Sequence, residues 1–163
     1  KTLGFTAPAI KNGLIVSLPK ESKYDNPLHQ DIYNYHSDRF IKIWAPLTEV
    51  NLENGSMKVF IGSHKQGFVK PSFRGSDHYP QINKNNIDGL NYKIFKFKPG
   101  PIVIFNPLVI HMSVPNISKK SRFVIGCDIQ DVSGIPNKSK NSKITLMKKI
   151  ADKRKKKRKK INY

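Results

Sequence analysis

The chain has 163 residues, enough for one domain of ordinary size. An apolar fraction of 37% with 9 Phe and 6 Tyr allows a modest core, and the single cysteine, Cys127, excludes an internal disulfide framework or a multi-cysteine zinc site. The net charge of +19 is uneven: residues 138–160 carry 13 of the 30 basic residues and one of the 11 acidic ones, so most of the excess belongs to a tail and the body is only mildly basic.

No stretch approaches the roughly 18 consecutive apolar residues of a membrane span, and no signal peptide opens the chain. A cytoplasmic location is therefore expected. The first residue is Lys1 rather than Met, which reads as a fragment or processed product.

Taken in chain order, the body reads as β-structure broken by turns. Along Arg39–Leu47, Ile41, Ile43, Ala45 and Leu47 share one face and Phe40, Lys42, Trp44 and Pro46 the other, the period of two that marks a strand. Asn54-Gly55 closes a turn segment, Met57–Ile61 is a second short strand, and Gly62-Ser63 stops it. Residues 65–90 are polar and rich in turn formers, which predicts a long surface excursion. Strand signals resume at Tyr92–Lys98, break at Pro99-Gly100-Pro101, and return at Ile102–Phe105 and Leu108–His111. Arg122–Gln130 alternates again, with Phe123, Ile125, Cys127 and Ile129 opposite Arg122, Val124, Gly126 and Asp128. Short strands at regular turns predict an all-β sandwich or jelly roll. The one fair helix candidate, Lys143–Lys153, lies in the basic tail, whose like charges favour disorder.

The chemistry gathers around His29-x-Asp31. On an extended segment, residues i and i+2 point to the same side, so an imidazole and a carboxylate can meet one metal ion. His111, at the end of an apolar strand, is the candidate third ligand. Two histidines and a carboxylate leave coordination positions open, the pattern of non-haem Fe(II) oxygenases. Taken alone, His-x-Asp is a weak signal that chance or surface use also explains. Beyond His111, Ser113 falls on the same side of the chain, and Arg122 stands on the next strand. An arginine there can clamp a dicarboxylate in a bidentate fork.

These residues, with Pro27-Leu-His-Gln-Asp31, Trp44-Ala-Pro-Leu47, Glu53-Asn-Gly55, Gly62-Ser-His-Lys65, Pro99-Gly100 and His111-x-Ser113-x-x-Asn116, occur in an order and spacing that resembles the phytanoyl-CoA dioxygenase family of Fe(II)/2-oxoglutarate oxygenases. The resemblance runs from residue 27 to about 130. It implies a double-stranded β-helix (a jelly roll, cupin-like) lacking N-terminal elements, with a partial oxygenase domain at 1–135 and a Lys/Arg-rich tail, partly helical or disordered, at 136–163. It implies His29, Asp31 and His111 as catalytic iron ligands and Arg122 and Ser113 as partners of the distal carboxylate of 2-oxoglutarate. Trp44, Gln30 and Asn116 match positions beside that cosubstrate. The implied reaction hydroxylates an unactivated C–H bond of a small organic substrate and releases succinate and CO2, with ascorbate as an aid in vitro. Related halogenases replace the carboxylate with a small residue, so Asp31 points to hydroxylation. Family substrates range over acyl-CoA thioesters, amino-acid-like solutes and natural products.

Plainer roles stand beside these. His64 sits in a turn and suits a structural hydrogen bond, His36 and His78 lie in polar stretches, and Cys127 alternates with apolar neighbours as a small buried hydrophobe. Lys93, Lys96 and Lys98 among Tyr92, Phe95 and Phe97 fit a half-solvated strand as well as a single-stranded nucleic-acid surface. The rival to an oxygenase is a non-catalytic jelly-roll module whose basic tail binds nucleic acid or another polyanion weakly.

Overall fold

The computed structural model describes residues 3–20, 26–34, 37, 39–72, 80–131 and 133. The basic tail with its helix candidate, and His36 and His78, lie outside them. Among the described residues, seven strands form two antiparallel sheets: β1 (Pro8–Ser17), β2 (Phe40–Pro46), β3 (Met57–Phe60), β4 (Tyr92–Ile94), β5 (Val103–Phe105), β6 (His111–Ser113) and β7 (Arg122–Asp131). The larger sheet runs β1-β7-β2-β5 and the smaller β4-β3-β6. A bridge between His29 and His111 continues the smaller sheet beyond β6. Among the described residues, the elements other than strands are short 3-10 turns, at Asp31–Asn34, Ser63–Gln66 and Lys84–Ile87. The architecture is the all-β jelly roll.

The inner face of the larger sheet is set by alternation. On β2, Lys42, Trp44 and Pro46 are buried while the residues between them are only partly so. On β7, Arg122, Val124 and Gly126 are buried while Phe123 and Ile125 are exposed. Trp44, Val50, Met57 and Val124 pack with Ile15, Phe95, Val103 and Phe105 as the layer between the sheets. A second cluster, Leu28, Phe60, Ile82 and Ile110, lies under the excursion after β3. That excursion is thus not all surface, because Ile82 donates its backbone N–H to Leu28 and is buried. The outer face of the larger sheet is apolar and exposed at Leu14, Val16, Ile104, Phe123 and Ile125.

Strand β1 has no counterpart in the sequence reading, which assigns no strand before Arg39. Its Asn12-Gly13 pair looks like a reversal, yet the strand pairs with β7 from Pro8↔Asp131 to Ser17↔Arg122 without a break. Long-range pairing overrides the local turn signal here. Conversely, β4 ends at Ile94, four residues short of expectation. Phe97 instead bridges to Val50 and stacks on Phe95, 5.2 Å between ring centroids.

Candidate active site

His29 and His111 stand opposite each other in the antiparallel bridge, with backbone bonds of 2.9 Å (His29 N–H to His111 O) and 3.0 Å (His111 N–H to His29 O). Directly opposed residues project to the same face of a sheet, and the two imidazole centroids lie 4.2 Å apart. Asp31 arrives differently from the extended i, i+2 geometry expected: it opens a 3-10 turn, and that turn swings its carboxylate between the two rings. His29 Nε2 is 3.6 Å from Asp31 Oδ1, and His111 Nε2 is 3.6 Å from Asp31 Oδ2. All three residues are buried.

Both imidazoles are held in the tautomer a metal needs. His29 Nδ1 lies 2.5 Å from the Pro27 carbonyl and His111 Nδ1 3.0 Å from the Val109 carbonyl. With Nδ1–H donated to the backbone, each Nε2 turns its lone pair toward Asp31. Burial, with His29 alongside, pushes His111 down to about 4, so it is neutral at pH 7. Burial alone would raise the Asp31 carboxyl, but the two histidines and Lys42 outweigh it and hold Asp31 well below the usual carboxylate range. Asp31 Oδ2 is buried without a hydrogen-bond partner. Two ligand bonds of about 2 Å to one ion, set at right angles, put their donor atoms about 3 Å apart. The set is therefore an ionised carboxylate and two imidazole nitrogens at spacings suited to one divalent cation.

Trp44, Ser113 and Arg122 line the same cleft, of about 270 Å³, as the triad. Arg122 is 3% exposed, and its Nε and Nη1 lack hydrogen-bond partners. Its guanidinium carbon lies 5.6 Å from the Trp44 ring centroid, and burial pushes its pKa down to about 10. A buried, under-satisfied guanidinium is costly unless something anionic joins it.

Gln30 and Asn116 are placed otherwise. The Gln30 amide donates to the Gly67 and Leu108 carbonyls and accepts from Val69 N–H. The Asn116 amide donates to the Ser17 and Lys120 carbonyls and accepts from Ser118. Neither lines the cleft, because their polar atoms are committed to backbone. Gln30 instead fastens the His29–Asp31 segment to the loop after β3, and Asn116 ties the β6–β7 connection to the end of β1. His64 is exposed, and its carbonyl accepts from Gly67 in a turn.

Two contributors were not singled out as site residues from sequence. Lys42 is buried with its ammonium 2.6 Å from Asp128 and 3.4 Å from Asp31 Oδ2, and these carboxylates raise its pKa against the effect of burial. Gly55 has a φ of +88°, and a Cβ there would come within 2.5 Å of Ser17 Oγ and 3.4 Å of Arg122 Nε. Lysine inside an apolar alternation is the signal that marks position 42. Nothing local marks the close approach of Gly55 to β1 and β7.

A family model described as phytanoyl-CoA dioxygenase matches residues 5–124. Bovine (Bos taurus) peroxisomal phytanoyl-CoA dioxygenase is 27% identical over 141 residues, covering 79% of this chain and 42% of the relative. The chain thus spans about two-fifths of the length of the curated relatives it matches. Among solved structures, EvdO2 from Micromonospora carbonacea var. aurantiaca, complexed with 2-oxoglutarate, aligns with a TM-score of 0.60 at 20% identity, over 82% of this chain and 56% of that one. The epimerase SnoN, in complex with Fe3+, alpha ketoglutarate and nogalamycin RO, aligns with a TM-score of 0.62 at 17% identity, over 77% and 51%. Among the described residues, no helix is long and apolar enough to cross a membrane.

Proposed function

The chain belongs to the phytanoyl-CoA dioxygenase family, and from that premise we propose that it is an Fe(II)- and 2-oxoglutarate-dependent hydroxylase of a small organic substrate. The observation that carries the reading is the convergence of His29, Asp31 and His111 in one cleft with the under-satisfied Arg122.

His29, Asp31 and His111 would hold the iron. Iron, when bound with 2-oxoglutarate and O2, supplies the oxidising power that couples decarboxylation to succinate and CO2 with insertion of an oxygen atom into a C–H bond. The protein's own work is placement. Arg122 would orient 2-oxoglutarate by pairing with its far carboxylate, a task suited to a planar fork with unused N–H groups. Ser113, on the cleft side of β6 two residues after His111, would add a hydroxyl donor to the same carboxylate. Trp44 supports the guanidinium through its ring face and walls the cleft against water. Gln30 and Asn116 would act by fixing the segments that carry the ligands and Arg122.

Calorimetric titration of 2-oxoglutarate into the Fe(II)-loaded chain without oxygen tests the proposal, followed by succinate release once oxygen and ascorbate are supplied. Binding with a 1:1 stoichiometry is expected. A chain that takes up iron but binds no 2-oxoglutarate would refute the reading and leave a non-catalytic module.

A further inference from the structure

The inner face of the larger sheet carries a charged row to which the proposed function assigns no role. Lys11 on β1 pairs in register with Asp128 on β7, and Asp128 pairs with Lys42 on β2. Residues directly opposed across strands share a face, and all three line the cleft. Arg122 lies on the same strand as Asp128 but six residues away, about 20 Å along β7 at roughly 3.3 Å per residue. Between them Gly13 and Gly126 stand in register with Trp44, so two of the three positions in that row carry no side chain. The cleft therefore has two charged ends, with Trp44 and the Ile15 side chain, which lies over Gly126, between them. Asp31 lies near the second end, 3.4 Å from the Lys42 ammonium.

We propose, on the hydroxylase reading above, that the Lys11–Asp128–Lys42 row is the substrate-recognition end of the cleft and that the substrate carries an oxyanion, a carboxylate or a phosphate monoester. Charge supports this. Among the described lining residues, three cations (Lys11, Lys42, Arg122) face two carboxylates (Asp31, Asp128). A divalent ion adds two positive charges and 2-oxoglutarate removes two, so the loaded cleft keeps an excess of one positive charge that a second anion would meet.

Geometry supports it too. Lys42 is held by Asp128 at 2.6 Å, which fixes the ammonium at the cleft wall while leaving N–H capacity for a ligand. Burying such a pair costs desolvation and is weak evidence for stability, so its place beside the metal ligands reads as a recognition device. Lys11 is exposed and has no carboxylate partner among the described residues, although it stands opposite Asp128. An incoming oxyanion would bridge the two ammonium groups. An unbranched acyl chain would instead leave them facing apolar surface.

The test uses matched probes in phosphate-free buffer: glycerol 3-phosphate against glycerol, and butanoate against butanamide. Each is titrated calorimetrically into the full chain loaded with Fe(II) and saturating 2-oxoglutarate, without oxygen. Either oxyanion should bind at least tenfold more tightly than its neutral counterpart, and the two arms show whether carboxylate or phosphate is preferred. Lys11→Met, an exposed substitution that leaves the core intact, should remove most of that preference while 2-oxoglutarate affinity stays within twofold. Lys42→Met should remove it as well. Equal binding of charged and neutral probes would overturn the proposal, and so would an unchanged preference in Lys11→Met. A chain that binds no 2-oxoglutarate defeats the hydroxylase reading instead. The same titrations on the metal-loaded chain alone then still show whether the row selects oxyanions.

Discussion

Arg122 sets function against stability in a way that can be measured. Its pKa falls from the ordinary arginine range to about 10 because burial removes water from N–H groups that no protein partner engages. A shift of that size corresponds to about 3 kcal/mol of uncompensated desolvation. Stacking on Trp44, at 5.6 Å, returns about 1 kcal/mol. Arg122→Met keeps the apolar stem and removes the charge, so the ligand-free variant should be more stable than the parent by about 1–2 kcal/mol. For a chain of this length that is a rise in Tm of about 3–6 °C. In the same variant 2-oxoglutarate affinity should fall at least a hundredfold at matched iron loading. Urea denaturation of metal-free protein and calorimetry of the loaded form give the two numbers. A clear loss of stability in Arg122→Met would show that the guanidinium is a structural member of the core, and unchanged 2-oxoglutarate affinity would remove it from the site.

Three other outcomes follow from the geometry. Asp31→Ala removes the one anionic ligand, so Co(II) or Fe(II) affinity should drop by two orders of magnitude or more; a variant that binds metal as tightly as the parent would show that the carboxylate is not a ligand. His111 is held neutral down to about pH 4 when metal-free, whereas in the unfolded chain it takes a proton near 6.5. The unfolded state therefore binds more protons between those values, and stability should fall by about 3 kcal/mol as pH drops from 6.5 to 4. An NMR titration that places His111 near 6.5 would contradict this. Gly55→Ala should cost about 1–3 kcal/mol, since its φ of +88° disfavours a side chain and the new Cβ would meet Ser17 Oγ. Ser17→Gly in the same chain should recover part of that loss, and the absence of any recovery would show that the contact is not the cause.

Much of this site is legible in the sequence because its residues are tied to short-range patterns. Alternation along Arg122–Gln130 places Arg122 on the face opposite Phe123 and Ile125, and the structure buries the first and exposes the other two. The His29-x-Asp31 pair is visible as a spacing, although the turn at Asp31, and not an extended strand, brings the carboxylate round. Less legible are features that depend on pairing across long separations. β1 hides behind Asn12-Gly13, and its ladder to β7 joins residues more than a hundred positions apart. The burial of Lys42 depends on Asp128, which lies 86 residues away. The roles of Gln30 and Asn116 depend on backbone carbonyls contributed by distant loops.

Strand register is what places the chemistry. Because side chains alternate, a slip of β7 by one residue would turn Arg122, Gly126 and Asp128 outward and put Phe123, Ile125 and Cys127 into the cleft. The inner residues resist correct burial: Arg122 is under-satisfied and Asp128 is paired with the Lys42 ammonium at 2.6 Å. The apolar residues of the other face, Phe123 and Ile125, remain partly exposed in the native register. Local hydrophobicity on β7 alone therefore favours the wrong face. The native register is held instead by the neighbours, with ten pairs to β1 and seven to β2, and by Val124, fully buried between Trp44, Val50 and Met57. On the proposed function, a metal ion and an anionic cosubstrate would bind only the native register, since only there do the three ligands and Arg122 share a cleft. Their binding free energy would then be added to the folding equilibrium and would offset the desolvation of the buried charges engaged.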